Sequence, residues 1–250
     1  MYFDVINSGS KGNATLVFTN DNIILIDMGI CISTLEDELA KFNKGICDIN
    51  ALLVTHNHTD HIKNIKCLSP KKMYSLDGTI PGELYNKVSL NKSFIIGKTK
   101  ITPFKTSHDA TNPCGYMIED KDAKLVYMTD TGVYLDENTT LISNPDYLII
   151  ESNHDIKMLM NSNRTKELKK RILSEHGHLC NEDSAFACLE IIGDNTKEII
   201  LAHLSEECNT PELALKAYNE VFAYKGVDIS KYKIRCANQH VATVGGNYEN

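Results

Sequence analysis

The chain has 250 residues, is 42% hydrophobic and 24% charged, and carries a formal net charge of −7. That length can bury a sizeable core, while the acidic balance excludes a generally basic nucleic-acid coat, so a polyanion has to be drawn by a local patch or by metals. The start Met1–Ile6 lacks the basic region of a secretory signal, no apolar run reaches the roughly 18 to 20 residues of a membrane span, and scattered cysteines without a C-x-x-C pair read as reduced thiols in a cytoplasmic protein.

In chain order, Val5-Ile6, Ala14 to Thr19 and Asn22 to Asp27 read as short strands around a Gly/Ser loop and an Asn-Asp turn. Ile32, Leu35, Leu39 and Phe42 recur at helical spacing and predict a first amphipathic helix. Leu52-Leu53-Val54 is a strand-like run, followed by a short helix near 61–67 and a helix–strand stretch to about Ile101. Gly115–Glu119 and Lys124–Met128 predict a hairpin turned at Asp120-Lys121-Asp122. Helices are predicted over Lys166 to Ser174, from Asn181 as N-cap, and from Thr210-Pro211-Glu212, where Thr caps and Pro fits the first turn. With no repeat or linker, residues 1–250 are expected to form a single α/β domain.

Chemistry concentrates in Thr55-His56-Asn57-His58-Thr59-Asp60-His61, where three imidazoles and a carboxylate follow an apolar run within six positions. Imidazole suits zinc, copper, iron and nickel, and a carboxylate extends the range to manganese. Three more candidates close apolar runs in the same way: His108 after Ile101 to Ser107, Asp130 after Leu125 to Thr129, and His203 after Ile199 to Ala202. In layered α/β folds ligands gather where loops leave the carboxyl ends of strands. If these ends converge on one rim, His56, His58 and His108 hold one divalent ion and Asp60, His61 and His203 a second, with Asp130 bridging. Two such ions can lower the pKa of a shared water to around 7 and clamp both oxygens of a displacement, so hydroxide attacks phosphorus or carbonyl carbon, with Asp60 as ligand and water-orienting group.

H-x-H-x-D-H resembles the signature of the metallo-β-lactamase superfamily. That resemblance implies a four-layer αββα fold in which two mixed β-sheets are sandwiched between helices. Glu151 after Tyr147 to Ile150, and His178 before a helix, look similar in position and order to a pair in the phosphodiesterase branch, including the transfer-RNA 3′-processing enzymes. By that likeness His178 is the general acid and Glu151 its orienter. Ser8 to Thr15, Thr55 to His61, Glu151 to Asp155, Ile172 to Asn181 and Ala202 to Ser205 together resemble the WalJ/YycJ family of bacterial hydrolases. The family implies a cytoplasmic, metal-dependent 5′-to-3′ DNA exonuclease with a DNA-processing role, using zinc or manganese, with iron as a third option. Its substrate is nucleic acid, DNA in preference to RNA, and Ser10, Asn13, His176 and Asn181 are candidate substrate contacts. Cys180 stands where the family leads one to expect serine. A basic run at Lys157, Arg164, Lys166, Lys169, Lys170 and Arg171 is a candidate backbone track. Two other readings stay open: a thioester or ester hydrolase of the glyoxalase II type, and a non-catalytic metal-binding signalling module.

Overall fold

The computed structural model describes residues 1–82 and 84–248; Glu83, Glu249 and Asn250, which belong to the expected 1–250 domain, lie outside the described residues. The first elements are β1 (Tyr2–Asn7), β2 (Ala14–Phe18), β3 (Ile23–Ile26), α1 (Ile32–Lys41), β4 (Ala51–Leu53) and α2 (Thr59–Ile62). Strands β5 (Met73–Leu76), β6 (Asn86–Val88), β7 (Phe94–Ile96), β8 (Thr99–Lys105), β9 (Cys114–Glu119) and β10 (Lys124–Met128) follow. Then come α3 (Thr139–Ile142), β11 (Tyr147–Glu151), α4 (Ile156–Asn161), α5 (Lys166–Ile172), α6 (Asn181–Ile191) and β12 (Glu198–Ala202). The last are α7 (Pro211–Tyr224), β13 (Lys233–Cys236) and β14 (Thr243–Gly246). The strands form two seven-stranded mixed sheets flanked by helices, in the orders β14-β1-β2-β3-β4-β5-β6 and β13-β12-β11-β10-β9-β8-β7.

The chain divides into two compact units, the first built from residues 1–104, 110–123 and 238 onward, the second from 105–109 and 124–237. In the first, β1, β2 and β3 are antiparallel neighbours, and β3 to β6 run parallel. Every residue of β2, β3 and β4 is buried, because these strands are apolar on both faces and are covered on both. Leu35 and Leu39, one turn apart on α1, close over Leu16, Leu25 and Leu52, as the helical spacing predicts. Between α2 and β8 no further α-helix occurs among the described residues, where the sequence suggests a helix–strand stretch. The expected helix near 61–67 is the single turn of α2 plus a 3₁₀ turn at Ile65–Cys67. Pro70, Gly78, Pro81 and Gly82 account for this, since each breaks helical periodicity. The turn at Asp120 is as predicted: its carboxylate accepts from the backbone N–H groups of Asp122 and Ala123 at 3.0 and 2.9 Å.

The second unit is a parallel layer, with β10, β11, β12 and β13 paired in register. β11 and β12 are wholly buried, and α6 and α7 pack together through Ser184 and Tyr218, whose hydroxyls lie 2.6 Å apart. Thr210 caps α7 by accepting from the Leu213 N–H, with Pro211 in the first turn. The cap of α6 differs from expectation. Cys180, not Asn181, is the N-cap, its sulfur accepting from the Asp183 N–H at 3.4 Å. Asn181 is the first helical residue, drawn inward by buried polar partners.

Candidate metal centre

In the first unit the metal loop leaves β4 and enters α2, so its side chains change direction within one turn. His56 and His61 are buried, and their rings lie 4.0 Å apart between centroids, with His56 and His58 at 4.7 Å. A carboxylate that the sequence reading passed over orders the loop. Asp27 accepts from the Thr55 N–H at 2.8 Å, from the Thr55 hydroxyl at 2.8 Å and from His61 Nδ1 at 2.7 Å. With its hydroxyl hydrogen given to Asp27, Thr55 presents a lone pair to His56 Nδ1 at 3.0 Å. Both imidazoles therefore carry their proton on Nδ1, which leaves Nε2 with the lone pair a metal needs. Burial pushes the Asp27 carboxyl up, opposed by His61 and Thr55. Gly29 lets this loop sit against α2, because a Cβ there would meet the Asp60 carbonyl oxygen at 1.6 Å.

In the second unit, strand ends deliver the remaining candidates. Asp130 and His203 adopt left-handed backbone (φ 55° each), as does Asp27 in the first unit (φ 59°). Such conformations are uncommon for residues other than glycine and cost about 1–3 kcal/mol each, so they persist where the surroundings impose them, characteristically at functional sites. Ligand atoms of Asp130, Glu151, His178 and His203 all lie within 4.8 Å of one another. Glu151 is fully buried and organises the group. Its Oε1 accepts from His178 Nδ1 at 2.7 Å and His203 Nδ1 at 3.0 Å, and its Oε2 from the N–H groups of Thr131 and Leu179 at 2.9 and 3.3 Å. Burial alone would raise this carboxyl, but the charges and hydrogen bonds of His178 and His203 outweigh it and hold it low. An ionised carboxylate only accepts, so both histidines carry hydrogen on Nδ1 and turn Nε2 away from Glu151. His108 follows the same rule, its Nδ1 donating to the Gly177 carbonyl at 3.0 Å, and burial pushes its pKa below the usual histidine value. Five imidazoles, His56 and His61 in the first unit and His108, His178 and His203 in the second, thus have Nδ1 committed to a protein acceptor and turn Nε2 away from it. That donor set fits divalent metal ions.

His178 stands apart chemically. It is part-exposed, and the rings of His108 and His203 flank it at 5.1 and 5.3 Å. Of the expected substrate contacts, Ser10 and His176 are exposed, with His176 Nδ1 3.0 Å from the Ser107 hydroxyl. Asn13 and Asn181 are buried and committed. The Asn13 amide bonds Gly9 and faces Asp60 Oδ2 and His61 Nε2 at 3.3 and 2.9 Å. Asn181 exchanges hydrogen bonds with Asn209 and accepts from the Ser152 hydroxyl. Half of the basic run is engaged within the fold: Arg164 pairs with Glu207, Arg171 with Asp109, and Lys169 donates to the carbonyls of Met160 and Ser162.

The model of the beta-lactamase superfamily domain matches residues 23–204, which span the metal loop, Asp130, Glu151, His178 and His203. The chain is 35% identical over 244 residues to the exodeoxyribonuclease YycJ of Bacillus anthracis, covering 92% of each. It belongs to the beta-lactamase superfamily, in its YycJ/WalJ branch. The exodeoxyribonuclease WalJ of Streptococcus pneumoniae is 36% identical over 227 residues, covering 85% of this chain and 84% of that one. Among solved structures, the metallo-beta-lactamase fold protein YhfI of Bacillus subtilis superposes with a TM-score of 0.70 at 19% identity, over 98% of this chain and 99% of that one. The short form of human tRNase Z does so at 0.65 and 15% identity, over 97% and 98%. At these identities the likeness is one of fold, and it agrees with the two flanked mixed sheets.

Asp27 was legible by the rule that found Asp130 and His203. The run Ile23-Ile24-Leu25-Ile26 ends on it, and an apolar strand closing on a metal-ligand type was the signal. Thr55 carried no such signal, since its role arises only when a second strand brings Asp27 beside it.

Proposed function

We propose that this chain is a metal-dependent phosphodiester hydrolase of nucleic acid, an exonuclease that degrades DNA from the 5′ end. The observation that carries the reading is the Glu151–His178 pair, a buried carboxylate with four donors that aims a part-exposed imidazole away from itself. The printed names of its YycJ and WalJ relatives, exodeoxyribonucleases, support the same substrate class. His56, His58, Asp60, His61, His108, Asp130 and His203 would be the ligands of two divalent ions, zinc or manganese, with iron also compatible with the donors. When bound, such ions polarise a phosphoryl oxygen and lower the pKa of water.

The protein's own groups supply the rest. Asp60 orients the attacking water and takes up its proton as the new phosphorus–oxygen bond forms. As the bond to the leaving oxygen breaks, His178 Nε2 hands that oxygen a proton, and the ionised Glu151 stabilises the imidazolium that donates it. His203, bonded to the same Glu151 oxygen, is kept in the tautomer that offers Nε2 as a ligand. Ser10 and His176 would contact the nucleic acid, a role their exposure supports. Eight free thiols suit a cytoplasmic setting, and no helix among the described residues is long and apolar enough to cross a membrane.

The test uses 5′- and 3′-labelled single- and double-stranded DNA with Mn²⁺ or Zn²⁺, beside an Asp130→Asn control. Stepwise loss from the 5′ end that disappears in the variant is the expected result. Turnover of bis(p-nitrophenyl) phosphate without DNA cleavage would move the substrate to RNA or a small phosphodiester.

A further inference from the structure

A cavity of about 220 Å³ opens in the second unit, beside the Glu151–His178 pair. Its wall includes Gly132, two residues beyond Asp130, and Leu179, the residue after His178. The backbone joins it to the chemistry, since Leu179 N–H and Thr131 N–H, next to Gly132, are the two amides that hold Glu151 Oε2. At Gly132 a Cβ would meet the Ser174 carbonyl oxygen at 2.4 Å, so this wall packs directly on the turn that carries His178.

The chemistry of the lining is two-sided. Phe186, 38% exposed, and Tyr134 bring aromatic rings, and Val133 adds an exposed aliphatic group. The Tyr134 ring is fixed, its hydroxyl 2.8 Å from that of Thr139. Asp183 and Glu190 line the same space from α6, at i and i+7 around Phe186, so they share its face of the helix. With Asp136 they put three carboxylates in the lining, which disfavours a phosphate there. They are acceptors without donors, and so match exocyclic amino groups. Aromatic rings with acceptor carboxylates are what a planar heterocycle carrying an amino group requires, and the cavity is smaller than the roughly 300–1,000 Å³ of drug-sized sites, which suits one base and not a dinucleotide. The ammonium of Lys225, 5.6 Å from the Phe186 ring centroid, supplies positive charge beside the cavity for an attached phosphate.

We propose that this cavity is a nucleobase subsite that takes the base of the terminal nucleotide, preferring cytosine, adenine and guanine over thymine, which has no exocyclic amine. The subsite rests on the nucleic-acid reading above and adds to it a specificity determinant. Phe186 is the stacking surface, and Asp183 and Glu190 are the acceptors.

Free nucleosides test it without any phosphate or metal. Deoxycytidine, deoxyadenosine and thymidine are titrated into the whole protein by saturation-transfer NMR, beside Phe186→Ala and Asp183→Asn. Both side chains are exposed on α6, and circular dichroism checks that the variants fold. Deoxycytidine and deoxyadenosine should bind about tenfold tighter than thymidine, a preference that Asp183→Asn reduces. Phe186→Ala should weaken all three by about tenfold. No saturable binding, or binding that Phe186→Ala leaves unchanged, overturns the subsite. The same protein, metal-loaded, is assayed on labelled DNA. Cleavage without nucleoside binding removes the subsite and leaves the nuclease, whereas nucleoside binding without cleavage of any nucleic acid keeps the subsite and removes the nuclease.

Discussion

At the scale of single residues, two buried carboxylates do most of the organising, and neither needs to touch a metal to matter. Asp27 fixes His61 and, through Thr55, His56, so Asp27→Asn should leave the fold in place while lowering affinity for zinc or manganese about 10- to 100-fold, read by calorimetric titration. An unchanged affinity would show that the loop orders itself without it. His178 makes a sharper prediction because general acids matter in proportion to the leaving group's basicity. His178→Ala should slow DNA hydrolysis by about 10²–10⁴-fold but barely affect bis(p-nitrophenyl) phosphate, whose leaving group needs no proton. Equal losses on both substrates would instead assign His178 to binding or to structure.

At the scale of elements, the caps and a buried strand carboxylate give measurable handles. Cys180 caps α6 through sulfur at 3.4 Å, a weaker acceptor than the hydroxyl or carboxylate oxygens usual at this position. Cys180→Ser should stabilise the protein by about 0.5–1 kcal/mol, raising Tm by roughly 1–4 °C. A lower Tm would mean that the thiol's packing outweighs its cap. On β1, Asp4 is fully buried with neither oxygen hydrogen-bonded among the described residues. Burial, then the nearby Glu38, raises its carboxyl from 3.8 to about 7, with Lys41 of the same helix pulling the other way. The folded protein therefore holds this proton through a window in which the unfolded chain has lost it. Stability contributed by the protonated form is complete below about pH 4 and declines as pH rises toward 7. Asp4→Asn should abolish that decline: its Tm should exceed the parent's at about pH 8 and match it near pH 4. Parallel curves across that range would exclude Asp4 as the cause.

At the scale of the whole molecule, the candidate ligands are spread along the chain: four lie in one seven-residue loop of the first unit, and three at strand ends of the second that are up to 95 positions apart in sequence, His108 to His203. Ions that bind the folded chain and not the unfolded one stabilise it by mass action, by about 2.7 kcal/mol at a hundredfold excess over Kd. Scanning calorimetry at rising Zn²⁺ or Mn²⁺ should show Tm climbing with concentration, and EDTA should return it to the starting value. A Tm indifferent to metal would contradict the ligand assignment.

The family, the α/β class, the metal loop and the order of the other ligand types are legible in the sequence, because each rests on local spacing: a strand period, a helical stripe, or six positions of H-x-H-x-D-H. The sequence also placed the Thr210–Pro211 cap and the Asp120 turn, where the deciding hydrogen bonds are made within three residues. The cap of α6 was misread by one residue. Asn181 is a better cap by type, but Ser152 and Asn209, 29 and 28 positions away, hold its amide in the interior, and Cys180 takes the end. The expected helix–strand stretch after α2 yields to strands, since the edge of a sheet offers backbone pairing that local propensity does not register. Which nitrogen of His56, His61, His108, His178 and His203 faces outward is set by folding instead. That choice belongs to Asp27, Thr55, Gly177 and Glu151, most of them far away in sequence, and a tautomer is set by the acceptor that folding brings to the ring.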